Sequence, residues 1–209
     1  MPSQNIIQPK QQRSKDTQTK LLDALHFWLE QKFFEHITIK ELAEHAGVSV
    51  GTFYRRFKDK ESLLPLLYQD FGRDLQLWVE DLEQQQFDSL GHALEEICTQ
   101  AYDFLQSKKS VFRTLHLNSR LQSTLLKSDK NVDRRLVYEQ ISNVVLRFSD
   151  EMTVADKSNA ASTFVFMMIT CLMEKVLYPE LTPAIACEAD GEAFSKQLPE
   201  IFIPYFISK

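Results

Sequence analysis

The sequence predicts an all-α protein, with a small N-terminal three-helix unit followed by a larger helical bundle. Three observations predict it. Apolar residues recur at helical spacing along nearly the whole chain. Glycine and proline are sparse, 5 and 7 among 209 residues, so the chain has few turns to offer. No run alternates β-branched with polar residues as a half-buried strand does. An apolar content of 44% with 25% charged residues is that of a globular protein that stays in water.

The elements follow in order. Residues 1–14 are polar and carry Lys10 and Arg13, which predicts a disordered basic arm. A first helix is expected from about Lys15 to Lys32, because Leu21, Leu22, Leu25, Trp28 and Leu29 share one face. Thr38, with Glu41 three residues on, has the pattern of a capping box and starts a second helix faced by Ile39, Leu42, Ala43 and Ala46. Gly47 ends it, since glycine alone reaches the left-handed conformation cheaply. Ser49 caps a third helix over 50–57. Asp59, with Ser62 three residues later, starts a fourth that reaches about Gln86; Pro65 in its second turn predicts a kink or a late start. Asp88 is expected to cap a fifth helix with Leu90, Leu94, Ile97, Ala101, Phe104 and Leu105 inward. A short helix over 110–116 and another from about Asn118 follow, the latter broken by the polar run Lys127–Asn131. Helices over 132–148, 155–178 and about 187–207 complete the chain. Pro199 and Pro204 should bend or split the last.

Residues 38–60 carry the chemistry. Two helical patterns meet at Gly47-Val48-Ser49, the geometry of a helix-turn-helix unit. On the third helix Phe53 and Phe57 lie i and i+4 and turn inward together. The other face carries Gly51, Thr52 and Arg55, flanked by Val50, Tyr54 and Arg56. It has little apolar bulk to bury. Its small, glycine-bearing start allows close approach, and hydroxyls and two guanidiniums follow. This is the division needed to read duplex DNA, where some groups meet base edges and others hold phosphates. Arg55 can pair with guanine O6 and N7, and Thr52 with a base edge or a thymine methyl. Helix N-terminal amides and the Thr38 and Ser49 hydroxyls suit phosphate oxygens, and Lys60 completes a phosphate clamp. Lys40, on the second helix, joins the DNA-binding set.

Charge distribution points the same way. The net charge is −5, yet residues 1–60 hold 10 Lys/Arg against 7 Asp/Glu, and the rest hold 14 against 22. A basic N-terminal unit on an acidic body suits a DNA reader with a second module.

The quoted segments, Thr38–Ala43, Ala46–Ser49, Gly51–Tyr54 with Phe57, and Lys60–Leu64, resemble the TetR family of bacterial transcriptional regulators. The resemblance covers about residues 15–66. It departs from the family where Lys32-Phe33-Phe34-Glu35 lacks a glycine before the second helix. It departs again where Tyr54-Arg55-Arg56-Phe57 stands in place of Tyr-x-His-Phe. What the resemblance implies is a helix-turn-helix domain over 15–60 and a ligand-binding and dimerisation domain over 61–209. It further implies a homodimer joined through the last two helices, and repression by operator binding that a small molecule relieves. A division-linked or architectural DNA-binding protein without an inducer is the alternative.

In the second domain, residues 164–173 are apolar nearly all round, as in a helix buried on more than one side. With the implied dimer, this helix packs both inside and on a second copy. Phe194, Leu198, Ile201, Phe202, Tyr205 and Phe206 form the companion interface. A small apolar or aromatic ligand would sit between helices, lined by Trp78, Tyr102, Phe112, His116, Phe164 and Met168.

Other classes find no support. No Gly-rich phosphate loop, HExxH or GxSxG occurs, so no enzyme is predicted. Three cysteines without a CxxC pair and 5 scattered histidines predict neither disulfide framework, metal nor cofactor. The polar N-terminal stretch and an apolar run shorter than about 18 residues predict a cytoplasmic protein that does not enter a membrane.

Overall fold

A computed structural model describes residues 10–121 and 134–207. Residues 1–9 of the arm expected over 1–14, and the polar break over 127–131, lie outside the described residues. The described residues form nine α-helices and no strand. They are α1 (Lys10–Gln31), α2 (Ile39–His45), α3 (Val50–Tyr54), α4 (Leu64–Gln84), α5 (Leu90–Ser107), α6 (Lys109–Leu121), α7 (Arg134–Leu146), α8 (Lys157–Leu177) and α9 (Gly191–Ile207). The chain divides into two compact units, one up to Asp70 together with the residues from Thr114, the other over Phe71–Arg113 and the remainder.

The first unit is built on a stripe of α1. Leu21, Leu25 and Leu29, spaced by one turn, are fully buried with Ala24. Phe34 and Ile37 of the α1–α2 connection, Leu42 and Ala43 of α2, and Phe53 of α3 are buried too. Phe34–His36 form a short 3-10 turn, which takes the place of the glycine-bearing connection that the sequence lacks. Leu64 and Leu67 at the start of α4 join this interior. Tyr68 donates its hydroxyl to the Leu115 carbonyl of α6 at 2.9 Å.

The second unit is a bundle of α4, α5, α7, α8 and α9. Its core runs through Val79 and Leu82 of α4, Leu94 and Ile97 of α5, Val137 and Ile141 of α7, Phe164 and Met168 of α8, and Phe202 and Phe206 of α9. Phe202 and Phe206 meet Phe164 edge to face, with ring centroids 5.1 and 6.2 Å away.

Several expectations are corrected. α1 begins at Lys10, five residues early, so Lys10 and Arg13 belong to a helix rather than an arm. One of the two outcomes expected at Pro65, the late start, is what the structure has: α4 begins at Leu64 with Pro65 its second residue, after a 3-10 turn over Lys60–Leu63. Proline costs nothing there because the first-turn N–H groups have no intrahelical partner. The N-cap of α5 is Ser89, not Asp88; its hydroxyl accepts the His92 N–H at 3.2 Å. The stretch read as two helices across 110–121 is one helix, α6. α9 starts at Gly191 and runs through Pro199 and Pro204 without splitting. α8 has 21 residues and is long and apolar enough to cross a bilayer by length and composition. Its Ala160, Ala161, Phe164, Met168 and Leu172 are all fully buried in the protein interior, as in a core helix.

Candidate nucleic-acid interface

Thr38 and Glu41 close the α2 N-terminus reciprocally. The Thr38 hydroxyl accepts the Glu41 N–H at 3.2 Å and donates to Glu41 Oε2 at 2.8 Å, and the Thr38 N–H reaches the same oxygen at 2.9 Å. Lys32 Nζ donates to the other oxygen at 2.6 Å. These partners, Lys32 first and the Thr38 amide and hydroxyl next, hold the Glu41 carboxyl at about 2, well below its ordinary 4.5. Trp28 Nε1 donates to the Glu41 carbonyl at 3.3 Å, and Lys32 Nζ lies 4.7 Å from the Trp28 ring centroid. Trp28 of α1 and Lys32 just past its end are thus fastened to α2 at one residue, Glu41. The sequence pattern reveals the cap, whereas Lys32 and Trp28 come from nine and thirteen residues away and carry no local signal.

The turn is formed as the sequence predicts. Gly47 takes φ 65°, and the Gly47 and Val48 N–H groups bond the Glu44 and Ala43 carbonyls at 3.1 and 2.9 Å. Ser49 then caps α3, its Oγ accepting the Thr52 N–H at 3.1 Å. α3 is shorter than expected, five residues, with Arg55 at its C-cap. Phe53 is fully buried as expected and meets Phe57 at 5.5 Å between centroids, but Phe57 lies past the end of α3 and is half-buried.

The outward face gathers most of the remaining candidates. Val50, Gly51, Tyr54 and Arg55 are exposed, and Thr52 and Arg56 are half-buried. Arg55 lies back along its own helix. Its Nη2 donates to Thr52 Oγ1 at 2.8 Å, and its Nε to the Gly51 carbonyl at 3.4 Å. Thr52 Oγ1 in turn lies 2.9 Å from Ser49 Oγ. Lys40 is exposed on α2.

Two candidates are arranged differently from the sequence reading. The Thr38 hydroxyl proton points at Glu41, so Thr38 acts as a cap rather than a donor to phosphate. Lys60 does not reach outward. Its Nζ donates to the carbonyls of Phe34 and Glu35 at 2.8 Å and of Ile37 at 3.1 Å. It also lies 4.8 Å from the Phe34 ring centroid. An ammonium has three protons, and these three carbonyls take them all. Lys60 therefore fastens the 3-10 turn between α1 and α2.

Of the ligand candidates, Trp78, Tyr102 and Phe112 pack against the core of the second unit that holds Phe164 and Met168, and His116 is not among them. Phe164 and Met168 are fully buried core residues. Trp78 stacks on Phe104 at 5.4 Å between centroids, and Phe112 stacks on Phe71 at 5.4 Å, which in turn lies 5.7 Å from Phe104. Trp78 Nε1 is buried without a hydrogen-bond partner among the described residues. Tyr102 lies against Gly191 at the start of α9. Burial first, then Asp190 and Glu192, push its phenol upward in pKa. His116 accepts a hydrogen bond from Arg120 Nε at 2.9 Å and belongs to the first unit. A separate groove of about 450 Å³ runs between α7 and α8, lined by residues including Tyr138, Ser142, Val165, Phe166 and Ile169. None of the ligand candidates lines it.

Residues 21–67 match the family model described as bacterial regulatory proteins, tetR family. An HTH-type transcriptional regulator of Staphylococcus aureus (strain USA300) is 27% identical over 92 residues, 44% of this chain and 47% of that protein. The chain thus matches about half the length of the curated relatives it resembles. Solved structures share the fold over nearly the whole chain. One, from Mesorhizobium loti MAFF303099 and assigned to the TetR family of transcriptional regulators, has a TM-score of 0.62 at 17% identity, covering 93% of this chain and 96% of that one. Another is NalD, the secondary repressor of the MexAB-OprM multidrug efflux pump in Pseudomonas aeruginosa. Its TM-score is 0.54 at 14% identity, with 95% and 99% covered.

Proposed function

We propose that the chain is a sequence-specific transcriptional regulator of the tetR family of bacterial regulatory proteins, whose model its residues 21–67 match. In this reading it is a cytoplasmic homodimer that represses from a palindromic operator and is released by a small apolar or aromatic ligand. The observation that carries the reading is the outward face of α3. Val50, Gly51, Tyr54 and Arg55 stand clear of the interior, with Thr52 half-buried beside them, while Phe53 anchors the helix. The first test is selection from a randomised duplex library with the full chain. Enrichment of a two-fold symmetric sequence supports the reading, and recovery of unenriched DNA overturns it.

The ligand half of the proposal rests on Trp78. A buried donor without a partner is costly, at roughly 1–3 kcal/mol, and a ligand acceptor would satisfy it. The Phe71, Phe104 and Phe112 rings beside it supply apolar walls. Trp78 and Phe71 lie on α4, and Phe112 lies on α6. A ligand preferring one arrangement of these helices would alter the spacing of the paired α3 helices. The core position of Phe164 and Met168 favours the second reading, a DNA-binding protein without an inducer. A thermal-shift panel of aromatic and aliphatic small molecules, run on wild type and Trp78→Phe, separates the two. A shift that Trp78→Phe abolishes supports the ligand.

A further inference from the structure

We propose that Thr52 is a positioning residue that aims Arg55 at a single guanine in each half-site. The inference rests on the DNA-binding reading above and names the base that this face reads. A guanidinium has a side edge, made by Nε–H and the nearer Nη2–H, and an end edge, made by one proton each of Nη1 and Nη2. In Arg55 the side edge is engaged within the helix, by the Gly51 carbonyl at 3.4 Å and Thr52 Oγ1 at 2.8 Å. The end edge is left without a partner among the described residues. It has the two-donor spacing that matches guanine O6 and N7.

The arrangement is more than a surface arginine folding onto its own helix. Thr52 is β-branched and its hydroxyl has few orientations open to it. The Oγ1 atom is 2.9 Å from Ser49 Oγ, and that oxygen is itself fixed because it accepts the Thr52 N–H at 3.1 Å to cap α3. The chain of contacts therefore runs from the helix cap through Thr52 to the guanidinium. Ordering a long arginine in advance lowers the entropy lost when it meets a base. It also restricts which base the end edge can meet. Thr52, which the sequence suggests as a base contact in its own right, is occupied with Arg55 instead.

The experiment uses the full chain and the duplex that library selection enriches, with each position substituted in turn and binding followed by fluorescence anisotropy at several salt concentrations. Wild type should prefer guanine at one position per half-site by roughly 10- to 100-fold. Arg55→Ala should abolish that preference. Thr52→Val, which keeps the shape and loses the hydroxyl, should cut it to a few-fold without changing the salt dependence, and Thr52→Ser should keep most of it. Thr52→Val added to Arg55→Ala should change nothing further at that position. The proposal is overturned if Thr52→Val keeps the full guanine preference. It is overturned equally if Thr52→Val alters a different base position and still does so in the Arg55→Ala background, because Thr52 then reads DNA directly. A wild-type chain that enriches no sequence overturns the DNA-binding reading together with this one, and so is distinct from both outcomes.

Discussion

At the scale of single residues, the N-terminal unit depends on two charges that satisfy backbone or cap groups rather than DNA. The Glu41 carboxyl is held at about 2 against an ordinary 4.5. A lowered folded pKa means that the contribution is whole above the unfolded value and disappears as pH falls through the folded one. Glu41→Gln should therefore lower the melting temperature at pH 7, and the gap to wild type should close between about pH 4.5 and about 2. Thermal unfolding followed by circular dichroism across that range checks it, and a gap that persists at the acid end would refute it. Lys60 gives the second case. Removing an ammonium that serves three carbonyls leaves them to water or to nothing, so Lys60→Met should destabilise the unit by about 1–3 kcal/mol. Because Lys60 Nζ is directed at Phe34, Glu35 and Ile37, the salt dependence of DNA binding should not change. A phosphate contact would instead lower the slope of log affinity against log salt by about one. Denaturant titration and salt-dependent binding of the same variant decide between them.

At the scale of elements, what the sequence reveals is what local chemistry determines. The Thr38-x-x-Glu41 cap, the Gly47 turn, the Ser49 cap and the inward Phe53 all depend on neighbours within four residues, and all are where periodicity and capping place them. Lys60 escapes such reading because its partners lie 23 to 26 residues away. Its basic charge beside a helix start looks the same whether it faces phosphate or carbonyls. The continuity of α6 and the start of α9 escape it for another reason, since helix propensity alone does not say where tertiary packing starts or breaks a helix. The mixed positions of Trp78, Tyr102, Phe112, Phe164 and Met168, some inside one core and some packed on its side, have the same origin. Aromatics at helical spacing serve cores and pockets alike, and only the packed structure separates buried Phe164 from Trp78 with its unpartnered N–H. The start of α9 offers a test of such packing. A Cβ on Gly191 would fall 2.7 Å from Tyr102 Cε2. Gly191→Ala should therefore cost about 1–3 kcal/mol through overpacking. Adding Tyr102→Leu should recover most of it, and a double-mutant cycle by denaturant titration measures the recovery. Additive losses would place the cause elsewhere than the ring.

At the scale of the whole molecule, the apolar surface of the second unit is unevenly placed. Its exposed large apolar residues include Leu136 and Tyr138 on α7, Phe166 and Met167 on α8, and Ile201, Tyr205 and Ile207 on α9, against Leu77 on α4. The companion set named from the sequence separates by face. Leu198, Phe202 and Phe206 point into the core, while Ile201 and Tyr205 remain outside. Phe166, 69% exposed at the middle of α8, is the natural centre of the proposed homodimer. In a two-fold interface each residue occurs twice. Burial of a phenylalanine contributes roughly 1.5–3 kcal/mol, so Phe166→Glu should weaken dimerisation by at least about 3 kcal/mol, or over a hundredfold. The side chain makes no demand on the protomer interior, so the fold should survive the change. Leu77→Glu, on a residue 57% exposed, is the matched control and should leave assembly unaltered. Analytical ultracentrifugation checks both, and a Phe166→Glu protein that still sediments as a dimer would move the interface off α8. DNA binding should follow assembly, because two α3 helices must lie about 34–36 Å apart to enter successive major grooves. A monomer holds only one of them. The variant should therefore bind a half-site duplex as wild type does, yet lose the added affinity for the full palindrome.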